Sequence, residues 1–300
     1  MTVNFLSSQP KALMARAIDI PISMARIVAA KSYSAMMNLT LLKSRLAYKS
    51  RPGDLFICSY PKSGTTWVQM ILYQLTTDGN MNVPHIGTVI PTLENLIVRF
   101  GGTLESFPPP GMIKTHLHYE QVPKGSGKYI YVMRDGLDVA VSYYHHYRLY
   151  HQYQDTFDAF FRMFLDGKVG YESWFKHVFS WTTNTAGLEL LVVKYEDLIR
   201  NLGQSVRLIA DFCGIEPDNS TIERVLSRSS FAFMRQHEEK FDVANIASPD
   251  RENRHFIRNG KVGDWRNYVN NELQREYSRR IGVSLHGEMF REYRHTDPSS

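Results

Sequence analysis

Leu55-Phe56-Ile57-Cys58-Ser59-Tyr60-Pro61-Lys62-Ser63-Gly64-Thr65-Thr66-Trp67 decides how this 300-residue chain is read. Leu55–Ser59 is a short apolar run that ends in a Pro/Ser/Gly turn, the pattern of a buried strand. Val68, Ile71, Leu72 and Leu75 then recur at helical spacing. A strand, a glycine-containing turn and a helix start bring backbone N–H groups and the positive end of a helix together, which makes an anion site. Lys62 adds a full charge, and Ser63, Thr65 and Thr66 add hydroxyl donors around Gly64. Trp67 offers a flat face to a base or closes the turn against the sheet. The order is not that of a Walker A loop, because the lysine precedes the glycine instead of following it. Phosphate binding without the usual Mg-nucleotide arrangement is therefore expected. A turn whose threonines merely cap a helix has the same local pattern.

Outward from this turn the chain alternates between strand-like and helix-like segments. Met112–Thr115, Tyr129–Met133 and Leu188–Val193 read as further buried strands. Helical spacing follows through Val139 and Tyr143, and again over Val206–Phe212. The expected fold is α/β, a P-loop-like parallel sheet of about five strands flanked by helices on both faces. In such sheets sites form where strands end, so the strand ends carry the chemistry. Arg134 closes the Tyr129–Met133 run, and an arginine there can grip a phosphate through paired hydrogen bonds. A surface arginine paired with Asp135 or Asp138 fits the same residues. Lys114-Thr115-His116-Leu117-His118 ends another run, and a histidine there can work as a base or serve the structure.

Residues 1–50 are expected to form a basic N-terminal helical arm, and residues 51–300 a single domain. Over the first 51 residues Lys11, Arg16, Arg26, Lys31, Lys43, Arg45, Lys49 and Arg51 face only Asp19, and apolar residues recur at helical spacing around Pro21. Packing on the main domain, a transit-like peptide and peripheral membrane contact all suit that pattern. The chain is 43% hydrophobic and 22% charged, enough for an ordinary core. A net charge of +5 suits an anionic ligand without choosing one. Cys58 and Cys213 supply neither a metal spacing nor a disulfide framework and fit a reducing, cytoplasmic setting. No apolar stretch reaches the roughly 18 residues that span a bilayer.

Several of these segments resemble the cytosolic-type sulfotransferase family, in the family's order from about Pro52 to Trp265. YPKSGTTW at Tyr60–Trp67 is similar to the family loop that cradles the 5′-phosphosulfate of the donor. RDGLDVAVSYYHHYR, from Arg134, resembles the segment that binds its 3′-phosphate, with Arg134 and Ser142 on the matching positions. The strand leading to Tyr195 and the turn Ser229-Ser230-Phe231 through Met234 resemble the adenine-contacting parts. Phe256-Ile257-Arg258-Asn259-Gly260 opens a likeness to the RKGxxGDW signature, with Asn259 in place of the usual lysine. Lys114–His118 is similar to KTHLP, with His118 in place of proline. A family KxxxTVxxxE dimer pattern is not evident over Arg266–Glu272.

The resemblance implies transfer of a sulfonate from 3′-phosphoadenosine 5′-phosphosulfate, leaving adenosine 3′,5′-bisphosphate, without a metal. It implies His116 as general base, Lys62 at the departing oxygen, Lys114 at the sulfonate and acceptor, and Ser142 at the 3′-phosphate. His118 is a competing base. A small hydroxylated acceptor, apolar or aromatic, is expected near Phe100, Phe107, Tyr143–Tyr150 and the loop around Phe241–Phe256, with no nucleic acid partner. Many family members carry phenylalanine at the position of His146, so a more polar pocket and an exposed histidine are both open. The rival readings are a P-loop-like small-molecule kinase, which needs a Walker lysine and Mg-binding acids, and a basic nucleic-acid-binding protein.

Overall fold

The computed structural model describes residues 50–95, 111–183, 187–242 and 255–284. The expected arm lies outside the described residues, apart from Ser50 at its end. Four strands form the sheet: β1 (Leu55–Ser59), β2 (Met112–Thr115), β3 (Lys128–Met133) and β4 (Glu189–Lys194). All pair in parallel in the order β2-β1-β3-β4, with Cys58 opposite Thr115 and Tyr131, and Met133 opposite Lys194. The parallel direction puts all four C-terminal strand ends on one edge.

The expectation of about five strands is corrected to four among the described residues. After β4 the chain turns at once into helices α5 (Tyr195–Arg200), α6 (Leu202–Cys213), α7 (Asn219–Arg228) and α8 (Phe231–Gln236). Those segments carry one-sided helical patterns, and Asn201, Asp218 and Ser230 cap their starts, so these described segments form helices and add no strand.

Both faces of the sheet are covered, as expected. Phe56, Cys58, Tyr129, Tyr131 and Met133 point into one core with α2 (Gly136–Tyr150), α3 (Phe157–Leu165), α4 (Trp174–Thr183) and α9 (Asn271–Ser284). Leu55, Ile57, Ile130, Val132 and Val193 alternate to the other face, against α1 (Thr65–Thr76), α6 and α7. Burying such a side chain contributes about 1.5–3 kcal/mol, which is why the strands read as continuous apolar runs and not as alternating ones. Tyr131 stacks on Trp181 at 5.3 Å, and Phe56 on Tyr129 at 4.8 Å.

Candidate active site

The turn after β1 carries Lys62 in the left-handed region at φ 69° and Gly64 at φ 104°, where α1 begins. Gly64 is required twice over: its φ is costly for an L-residue, and a Cβ would stand 2.8 Å from Cδ2 of Tyr195. Tyr195 is held there because the Trp67 ring meets it edge-on at 5.5 Å and the Arg134 guanidinium covers it at 4.2 Å. The Trp67 indole N–H also donates to the Ser229 carbonyl at 2.8 Å, drawing the start of α8 onto the turn.

Arg134 leaves the end of β3 and donates to the carbonyls of Lys62 at 3.2 Å and Lys261 at 3.1 Å. It also lies 3.9 Å from Asp138, whose carboxylate accepts the N–H groups of Gly263 at 2.7 Å and Trp265 at 3.1 Å. That carboxylate fastens a loop from far along the chain over the site. Arg235 steadies the same loop through the carbonyls of Ile257 and Arg258. Gly260, at φ 63°, lies against Phe231 so closely that a Cβ would come within 2.3 Å of the ring.

His116 stands just past the end of β2. Its Nδ1 is 2.8 Å from the Ser59 carbonyl, and a carbonyl only accepts, so Nδ1 carries the proton and Nε2 keeps a lone pair. Its backbone N–H donates to the buried Glu94 carboxylate at 2.7 Å, and its carbonyl faces Nε2 of buried His177 at 3.1 Å. Tyr171 packs edge-on at 5.2 Å. Burial, then the charge of Lys114 and less so of Lys62, lowers the imidazole pKa to about 3 against the opposing pull of the Ser59 carbonyl. Lys62 is itself lowered to about 8 by burial and by Arg134, Lys114 and Arg258, and its ammonium lies 4.7 Å over the Phe256 ring. His118 packs on His177 at 5.0 Å, and its charged neighbours are Glu172, Glu120 and Lys176, not the lysine pair beside His116.

These groups share one cavity of about 1340 Å³. Of the residues expected at the site, Lys62, Gly64, Thr65, Thr66, Trp67, Lys114, His116, Arg134 and Ser142 line it. Tyr195, Ser229, Phe231, Met234, Phe256, Ile257, Arg258, Asn259 and Gly260 also do. Two expected residues do not. Ser63 is buried beneath the turn, and the Ser230 hydroxyl accepts the Phe233 N–H as a helix cap. Of the expected acceptor residues, Tyr143, His146, Tyr147 and Phe241 line the cavity, while Phe100, Phe107 and positions 243–254 lie outside the described residues. His146 is not exposed; its Nδ1 is buried.

Sequence reasoning missed Glu94, His177 and Tyr171, which reach His116 only through the folded chain, and Arg235. Among the described residues no group of three or more His, Cys, Asp and Glu side chains has an arrangement that holds a metal ion, and no helix is long and apolar enough to cross a membrane.

A parallel sheet with a phosphate-type cradle at its strand ends, facing a neutral imidazole, defines the class: a nucleotide-binding α/β enzyme. Residues 52–289 match the family model described as the sulfotransferase domain, and the chain belongs to that family and is a sulfotransferase. It is 36% identical over 235 residues to sulfotransferase 1B1 of Mus musculus, a match covering 74% of this chain and 79% of that protein. Mouse sulfotransferase SULT7A1, solved in complex with PAP, superposes with a TM-score of 0.68 at 28% identity, covering 86% of this chain and 94% of that one. Retinol dehydratase, solved with androsterone and inactive cofactor PAP, gives 0.68 at 26% identity, covering 78% and 81%.

Proposed function

We propose that this enzyme transfers a sulfonate from 3′-phosphoadenosine 5′-phosphosulfate to a hydroxyl, or an amine, of a small apolar or aromatic acceptor by in-line displacement, with His116 as general base. The observation that carries the reading is the Nε2 lone pair of His116, fixed by the Ser59 carbonyl, in one cavity with Lys62, Lys114 and Arg134. The residues present fit the adenylate donor. Arg134 Nε and Ser229 Oγ are buried without partners, and among the described residues neither Lys62 nor Lys114 has a carboxylate within 4.0 Å. Buried polar groups are normally paired, so these open valences suit a polyanion with a polar base. The relatives solved with PAP support the same donor.

When bound, the donor supplies the sulfonate and a bisphosphate leaving group. Arg134 and Ser142 grip the 3′-phosphate. Lys62 meets the charge that grows on the departing oxygen, in a dry site where a fixed charge counts for more than in water. Lys114 neutralises the sulfonate oxygens and the acceptor. Nε2 of His116 accepts the acceptor's proton, while Nδ1–H stays on the Ser59 carbonyl. In the free protein burial holds this imidazole neutral, reinforced by the two lysines. An anion laid against them removes that push, so its basicity rises when donor is present.

Replacing His116 by alanine is expected to lower kcat by about 10²–10⁴-fold. The affinity for adenosine 3′,5′-bisphosphate should change little. Wild-type turnover in the variant, measured with labelled donor, would remove His116 as base. The buried Cys58 and half-buried Cys213 thiols, both pushed up by burial, suit the cytoplasmic setting of this reading.

A further inference from the structure

His146 lies one helical turn after Ser142 on α2, with its ring in the cavity wall. Tyr150 at 4.5 Å, Tyr143 at 5.9 Å and His151 at 5.9 Å surround it. Its Nδ1 is buried without a hydrogen bond, and among the described residues Nε2 also has no protein partner. A buried polar atom left open costs stability, and a native chain that keeps one needs a reason for it. The neighbouring hydroxyls offer no substitute, because they are already engaged. Tyr143 donates to the Gly170 carbonyl at 3.1 Å, Tyr147 accepts the Gly170 N–H at 2.8 Å, and Tyr60 donates to the Glu172 carbonyl at 3.0 Å.

Burial and then Lys62 hold the imidazole of His146 down to about 2, so it offers one donor and one acceptor and no charge. His146, His116, Lys62 and Lys114 line the same cavity, and both lysines act on both imidazoles, so His146 lies in the neighbourhood of the lysine pair. That pair disfavours an ammonium on the acceptor, and an acceptor carboxylate would compete with the donor for it. A neutral hydroxyl, which can donate or accept, fits an open ring nitrogen in either tautomer.

We propose that His146 is a specificity residue that binds a second hydroxyl on the acceptor, close to the one that is sulfonated, so that the preferred acceptors are diols, ortho-dihydroxy aromatics in particular. This deepens the sulfonate-transfer reading and rests on it. The test uses an ortho-dihydroxynaphthalene and the naphthol that lacks its second hydroxyl. Binding of each is measured by titration of the enzyme saturated with adenosine 3′,5′-bisphosphate, and kcat/KM with labelled donor.

Wild type is expected to prefer the diol by about 10-fold, the worth of one buried hydrogen bond. In His146→Phe the ratio should fall to about one, and His146→Asn, which keeps a donor and an acceptor, should retain part of it. Should His146→Phe fail to bind adenosine 3′,5′-bisphosphate, the ratio in His146→Asn decides. Equal binding of the two naphthols by wild type, a ratio unchanged in the variants, or no binding of either compound overturns the proposal. A binding preference without turnover of either compound would instead count against sulfonate transfer and leave the recognition by His146 standing.

Discussion

Replacing Gly64 by alanine adds one methyl group at the tightest point of the nucleotide wall. The new Cβ would stand 2.8 Å from Cδ2 and 3.4 Å from Cε2 of Tyr195, at a φ of +104°. The left-handed backbone alone costs an L-residue about 1–2 kcal/mol. The overlap adds about 1–3 kcal/mol, the usual cost of overpacking. Tyr195 cannot swing clear cheaply, since Trp67 meets its edge and Arg134 lies on its face. The combined cost of about 2–5 kcal/mol must then appear in stability, in donor binding, or divided between them. If Tyr195 holds, Tm falls by about 4–20 °C, at about 2–4 °C per kcal/mol for a domain of this size. If it yields, Arg134 loses its platform, and affinity for adenosine 3′,5′-bisphosphate falls about 30-fold for each 2 kcal/mol. Thermal unfolding and calorimetric titration on one preparation read both quantities. A variant with wild-type Tm and wild-type affinity would refute the packing described here.

Further outcomes follow from the electrostatics. Lys62 titrates near 8 in the free enzyme, so it is charged below that pH, and adenosine 3′,5′-bisphosphate should bind less tightly as pH rises through it. Affinity measured from about pH 6.5 to 9.5 should lose this slope in Lys62→Arg, whose guanidinium stays charged. Ser229→Ala removes a buried, unpartnered hydroxyl and is expected to raise the Tm of the free protein by a few degrees while weakening nucleotide binding. An unchanged Tm in differential scanning would contradict that hydroxyl's strain.

Burial holds the Glu94 carboxyl above its ordinary range. Its contribution to stability is therefore complete below that range and is lost as pH rises through the raised value. Relative to Glu94→Gln, wild type should become progressively less stable over that rise. Tm differences that do not vary with pH would rule this out.

The four strands were legible because each is buried on both faces, which leaves an apolar run with a turn at its end. The count of five gives way to four, since among the described residues the chain after Lys194 continues as helices and turns with no further strand in the sheet. The cradle was legible for a related reason: Lys62 and Arg134 sit at strand ends, which a parallel sheet gathers on one edge. What the hydroxyls do was less legible. Ser63 and Ser230 stand inside the right segments, yet one is beneath the turn and the other caps a helix, because local backbone geometry sets their direction. The protonation of His116 was not legible at all. It depends on a carbonyl in β1, and its backbone is held by Glu94 and His177 from other parts of the chain. His146 was readable as a change of residue type but not as buried or exposed, since helical spacing does not say how deep a wall lies.

The two hydrogen bonds that Asp138 accepts from Gly263 and Trp265 have a bearing on how the enzyme matures. They join the beginning of α2 to a segment synthesised long after it, and the loop over the site cannot seat until that segment has emerged. A nascent chain that ends before Trp265 carries all four strand segments, yet it lacks both this loop and α9, which completes one core, so it holds only part of the grip on the nucleotide. Retention of the ligand thus reports that synthesis and docking are complete, and chains interrupted late should be recognisable by their failure to bind it.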